Sequence, residues 1–267
     1  NLSTNDQRRL RDSAISIATK LNLRGPVNLH FLLANDQIYL LQIKSYSGHN
    51  VAFLTKALKK DITAITMKVL LGSTLSELDL PSDIWPSNDL IHVKMPVFSY
   101  LSYSSENTFD SKMKTSGSVM GRAKHLPTAL FKGYEGSDLM ISTYGTVFIS
   151  VKDSEKHNAI KIAARFHQLG FKLLATEGTA NVLAEEGITT GIIEKVQEGS
   201  NSLLEKIKQH RINLVINVTS LSDSASHDAI MIKDAALSTH IPVFSSLQSA
   251  QDVLIVLETL AMTTQPL

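Results

Sequence analysis

The chain has no cysteine among its 267 residues, which excludes a disulfide scaffold, a thiolate metal site and a thiol nucleophile. This is compatible with a reducing compartment. An excess of charge of one sign is also missing. Lys and Arg number 26 against 25 Asp and Glu, for a net charge near +1, so nothing argues for a nucleic-acid partner or a membrane surface. No apolar run is long enough to cross a bilayer, and the polar stretch from Asn1 to Arg11 carries no signal peptide. The first residue is not Met, so a fragment or processed chain, soluble and cytoplasmic, is expected. The nucleotide motifs G-x-G-x-x-G and G-x-x-x-x-G-K-[ST] are absent, as are H-E-x-x-H and G-x-S-x-G. The nine histidines are scattered without ligand spacing, so no zinc site is expected. No internal repeat or low-complexity tract is visible.

What is present is a chain of ordinary composition, 43% hydrophobic, long enough for one large or two ordinary domains. Ser3 or Thr4 can cap a helix reaching about Leu23, with Leu10, Ala14, Ile17, Ala18 and Leu21 on one face. The apolar runs Val27 to Ala34 and Gln37 to Ile43 flank Asn35-Asp36 and read as a hairpin. Helices are expected from Val51 to Leu58 and from Ile62 to Leu71, then an irregular stretch broken by Pro81 and Pro86. Ile91 to Phe98 reads as a strand, Tyr100 to Phe109 as a loop, and Thr128 to Tyr134 as a short helix.

Past a linker at Gly136 to Gly145 the texture changes. Strand-like runs at 147–151, 172–175, 190–193, 213–217 and 241–244 alternate with helical patterns at 153–169, 179–186, 201–210, 226–239 and 246–261. That alternation predicts an α/β fold, a Rossmann-like parallel sheet with helices on both faces. The boundary falls near 140, giving domains at 1–140 and 141–267.

Ala175-Thr176-Glu177-Gly178-Thr179 lies between a strand-like run and a helical pattern. Threonines flanking a glycine there put hydroxyls and backbone N–H groups at a helix N-terminus, where an anion is favoured. A turn of this composition is common on its own. The arrangement around it is less so: Ser150, Thr176, Thr179, Lys195, Asn217 and Thr219 all fall at or just after strand C-termini, where doubly wound sheets bind ligands. Lys156 sits in the first turn of the following helix, a poor place for a cation unless an anion binds beside it. His227-Asp228, in a Ser/Asp-rich stretch, reads as a capping or solvated pair.

The stretch from Gly170 to Ala180, Gly-Phe-Lys-Leu-Leu-Ala-Thr-Glu-Gly-Thr-Ala, resembles the C-terminal regulatory domain of the carbamoyl-phosphate synthase large subunit, which has the methylglyoxal-synthase-like fold. Order and spacing fit through 147–219. Arg24 to Asp61 resembles the end of that family's second ATP-grasp unit, and Lys94 to Gly121 the segment after it. The resemblance implies a nucleotide monophosphate effector, UMP or IMP, with its phosphate on Lys156, Thr176, Thr179 and Lys195 and its nucleoside on Ser150, Asn217 and Thr219. The basic pair that the family carries in the next helix is not preserved, since this chain reads Ile232-Lys233-Asp234.

The family's ATP-grasp hairpin offers a glutamine and then Glu-x-Asn to the Mg²⁺ ions of ATP; His30, Gln42 and Lys44 stand there in this chain. Mg²⁺ is bound through carboxylates and other oxygen ligands, so a lost carboxylate and an added cation imply that the fold is kept and the metal site is not. No catalytic residue and no cofactor are therefore expected in this stretch, while ATP and Mg²⁺ belong to the intact family enzyme, which makes carbamoyl phosphate for pyrimidine or arginine biosynthesis. Its partners would be the rest of the large chain and a glutaminase small chain. Two other classes compete. Methylglyoxal synthase shares the fold, but its Gly-Gly-Asp-Gln-Gln stretch is replaced here by Glu194-Lys195-Val196-Gln197-Glu198-Gly199. A non-catalytic scaffold paralogue with a vestigial pocket is the other.

Overall fold

A computed structural model describes residues 2–45, 48–80, 84–85, 89–97, 117–137, 139, 141–194, 202–219 and 223–263. The chain divides into two compact units, Asn1–Asn88 and Asp89–Leu267.

The first unit opens on α1 (Thr4–Lys20), capped by Ser3, whose hydroxyl accepts from the Asp6 backbone N–H at 3.1 Å. Strands β1 (Val27–Ala34) and β2 (Gln37–Ser45) pair antiparallel around Asn35 and Asp36. Both turn residues have positive φ, 50° and 59°, as the two-residue turn of a twisted hairpin requires. Arg9 of α1 reaches that turn and pairs with Asp36 at 2.6 Å. Then come α2 (Gly48–Leu58) and α3 (Ile62–Leu70), the latter capped by Asp61. Among the described residues of this unit only Ala57 and Thr66 are buried.

The second unit begins with an antiparallel hairpin of β3 (Ile91–Val97) and β4 (Gly117–Ala123), followed by α4 (Leu126–Gly136) with Pro127 in its first turn. The helix lies directly on the hairpin. A side-chain carbon added at Gly121 would fall 1.9 Å from the Ala129 carbonyl oxygen, so only glycine permits this approach. Strand β4 is not among the sequence expectations, and the expected loop from Tyr100 to Phe109 lies outside the described residues. Leu130 and Tyr134 of α4 share a core with the large sheet. The β3–β4 hairpin and α4, placed with the first half on sequence grounds, therefore pack within the second unit.

The rest alternates as the apolar runs predict: β5 (Thr146–Val151), α5 (Lys156–Gln168), β6 (Lys172–Thr176), α6 (Glu177–Glu185), β7 (Gly191–Ile193), α7 (Ser202–Lys208), β8 (Leu214–Val218), α8 (Asp223–Ser238), β9 (Val243–Phe244) and α9 (Leu247–Thr263). All neighbours in the five-stranded sheet are parallel, in the order β7-β6-β5-β8-β9. Side chains alternate across it. Val147, Ile149 and Val151 of β5 join Leu214 and Ile216 of β8 in one core with residues of α4, α5, α6 and α9. Phe148 and Val215 point the other way, into a second core with α7 and α8. Both faces are covered, which is why these strands read as continuous apolar runs. Among the described residues no helix is long and apolar enough to cross a membrane.

Candidate functional site

The two cores locate the site. Helix α5 leaves β5 onto one face of the sheet, while α8 leaves the adjacent β8 onto the other. The chain therefore diverges beyond the carboxyl ends of β5 and β8, the place where ligands settle in open α/β sheets. Register brings the polar residues to one level: Ser150 lies opposite Asn217, Ile149 opposite Ala175, and Thr176 opposite Ile193.

Thr176 ends β6 and caps α6 in extended conformation, with φ −64° and ψ 148°, but its hydroxyl makes no capping bond. It turns instead to Thr179 Oγ1 at 3.3 Å and Ser150 Oγ at 3.4 Å. The Val151 backbone N–H points at Thr179 Oγ1 from 3.5 Å. Both threonines are buried, at 6% and 1% exposure. Hydroxyl pairs that satisfy one another sit about 2.7–2.8 Å apart. These three touch at longer range, so each retains capacity for a shorter bond to something else.

Lys156 is the first residue of α5. Its ammonium lies against Gly178 in the first turn of α6, where an added Cβ would sit 2.8 Å from Nζ. One cation thus stands at the N-termini of two helices, both of which favour negative charge. Its counter-charge is Asp153, with Nζ to Oδ1 at 2.7 Å and the aspartate side chain 94% exposed. The i, i+3 spacing of Asp153 and Lys156 is the sequence signal for this pair.

The structure therefore gathers Lys156, Ser150, Thr176 and Thr179 around one turn, with Asn217 buried beside Ser150 in register. Thr219 is exposed just past β8, and Lys195 lies outside the described residues. Asp228 departs from expectation. It sits inside α8 and is half-buried, and its Oδ1 is covered with no hydrogen-bond partner among the described residues. In the first unit, His30 pairs in register with Gln42 and Asn28 with Lys44. His30, Gln42 and Lys44 thus share one face of the hairpin, all exposed. No group of three or more His, Asp or Glu placed to hold a metal occurs among the described residues.

The family model described as the MGS-like domain matches residues 158–245, from the first turn of α5 past the end of β9. Two solved structures are similar in part. One is ForH, at 21% identity and a TM-score of 0.36, covering 43% of this chain and 80% of that one. The other is methylglyoxal synthase from Elizabethkingia anophelis NUHP1, at 15% identity and a TM-score of 0.34, covering 43% of this chain and 79% of that one.

Proposed function

We propose that the second unit is a regulatory module that binds a nucleoside monophosphate, UMP or IMP, at the carboxyl edge of its sheet, in the C-terminal section of a carbamoyl-phosphate synthase large chain. The observation that supports a phosphate most directly is the placement of the Lys156 ammonium against Gly178. Beside it stand the half-satisfied hydroxyls of Thr176, Thr179 and Ser150. A phosphate there would accept from Lys156, from the Thr179 hydroxyl and from backbone N–H groups at the start of α6. Lys195, on the segment after β7, would close the anion site. Asn217 and Thr219 at the end of β8 would face the nucleoside.

The ligand would act on a catalytic chain by binding one of two states more tightly. The first unit would serve as a structural part of that assembly without holding Mg²⁺, because Gln42 and Lys44 offer no carboxylate. Titration of the full chain with UMP and IMP by calorimetry tests the reading. Saturable binding that weakens by about 1–3 kcal/mol in Thr179→Val is the expected result, the cost of a lost polar contact in a buried site. Wild-type affinity in that variant overturns the pocket assignment. Absence of any binding at millimolar nucleotide favours a scaffold with a vestigial pocket, and phosphate release from dihydroxyacetone phosphate would favour the lyase.

A further inference from the structure

We infer that Asp153 is a built-in competitor of the ligand phosphate: its carboxylate pairs with Lys156 and has to give up that ammonium when the anion binds. The inference rests on the phosphate reading above and adds a specificity residue to it. Three observations carry it. Asp153 Oδ1 and Lys156 Nζ are 2.7 Å apart, a full charge-assisted contact. The same ammonium faces Gly178 at the start of α6, so a phosphate seated there and the Asp153 carboxylate would share one cation at close range, two anions repelling each other. Finally, the two partners are unequally exposed. The lysine side chain is 22% exposed and the aspartate 94%, so the carboxylate is the member whose charge water can solvate.

Local structure explains why an acid sits there. Residues Asp153–Glu155 form a single 3-10 turn that leads into α5, and a carboxylate just ahead of a helix offsets its positive end. Asp153 therefore does for α5 and Lys156 what a bound phosphate would do. The consequence is selectivity. A singly charged carboxylate ligand merely replaces one carboxylate by another. A phosphate dianion brings more charge and more acceptor oxygens, and can engage Lys156 and the α6 N-terminus together. The exchange thus favours phosphate monoesters over carboxylates and screens the pocket against weak anions.

The test is calorimetric titration of the full chain with UMP, inorganic phosphate and uridine, in the wild type, Asp153→Asn, Lys156→Met and the double variant. Asn keeps the shape of the side chain and removes its charge, and Asp153→Ser serves as a second neutral variant should Asn form a new local bond. The expected result is UMP and phosphate bound about three- to tenfold more tightly by Asp153→Asn, with uridine unchanged. The gain should vanish in the Lys156→Met background. Equal or weaker UMP binding by both neutral variants overturns the inference while leaving the pocket intact. A gain that persists without Lys156 overturns it too, because simple charge removal then accounts for the effect. No binding of UMP or phosphate by any of the proteins overturns the pocket reading and the competitor together.

Discussion

Tyr134 shows how one buried side chain carries a measurable pH signature. Its ring packs edge-on to Phe244, 6.4 Å between centroids at 85°, and only 6% of the residue is exposed. Burial, helped by the nearby Asp252 carboxylate, pushes its phenol up to about 12 from 10.0. The folded state thus holds the proton more tightly than the unfolded chain. The associated stability is fully present below pH 10 and is lost as pH rises toward 12, about 2–3 kcal/mol in all. Wild type is therefore expected to lose urea resistance more steeply than Tyr134→Phe between those pH values, and parallel curves would refute the assignment. Residue chemistry at the site was legible to different degrees. Thr176 and Thr179 stand out only together with the polar residues at the neighbouring strand ends, because a turn of this composition is common on its own. Asp153 does not, because an acid ahead of a helix is ordinary and its meaning depends on where the Lys156 side chain goes. Asp228 was hidden for the opposite reason. Polar neighbours in sequence suggest solvent, whereas one carboxylate oxygen of this half-buried residue is covered.

Among the elements, β5 to α9 could be read from the sequence because a parallel sheet buried on both faces demands apolar runs, and Val147 to Val151 or Leu214 to Val218 supply them. Strand β4 could not. Its sequence, Gly-Ser-Val-Met-Gly-Arg-Ala, carries two glycines and little β-propensity. It is a strand through its tertiary contacts, paired residue for residue with β3 and pressed by α4. Gly121 is the point of closest approach, with the Ala129 carbonyl oxygen 1.9 Å and the Gly133 nitrogen 2.7 Å from any added Cβ. Both obstacles are backbone and cannot rotate aside. Gly121→Ala is expected to destabilise the second unit by at least about 2–3 kcal/mol, the scale of an overpacked core, read as a lower urea midpoint. A midpoint within experimental error of wild type would mean that α4 stands further from β4 than this close approach. By contrast Arg165 and Glu258, which join α5 to α9 through two bonds of 2.7 Å, are each about 30% exposed, so their pairing contributes little beyond about 1 kcal/mol.

For the whole molecule, the two units differ in how they are held. The second has two extensive cores on either side of its sheet. The first buries only Ala57 and Thr66 among its described residues and exposes Leu32, Tyr39, Leu40, Leu41 and Ile43 on a two-stranded hairpin, a structure of marginal stability by itself. Its helices and hairpin were legible in the sequence because capping and turn signals are local. How little it buries was not, because apolar residues look alike in sequence whether covered or exposed. Scanning calorimetry is therefore expected to resolve two transitions, the lower from Asn1–Asn88 and the upper from Asp89–Leu267. A ligand bound only by the folded second unit raises that unit alone. At a hundredfold excess over its dissociation constant, UMP should add about 2.7 kcal/mol and move the upper transition by roughly 5–10 °C. The lower transition should stay in place, with ATP and Mg²⁺ as well as with UMP, since the exposed His30, Gln42 and Lys44 face presents no carboxylate to the metal. A shift of the lower transition by Mg²⁺ and ATP would restore a nucleotide site to the hairpin. An upper transition unmoved by UMP would remove the one proposed at Thr176 to Thr179.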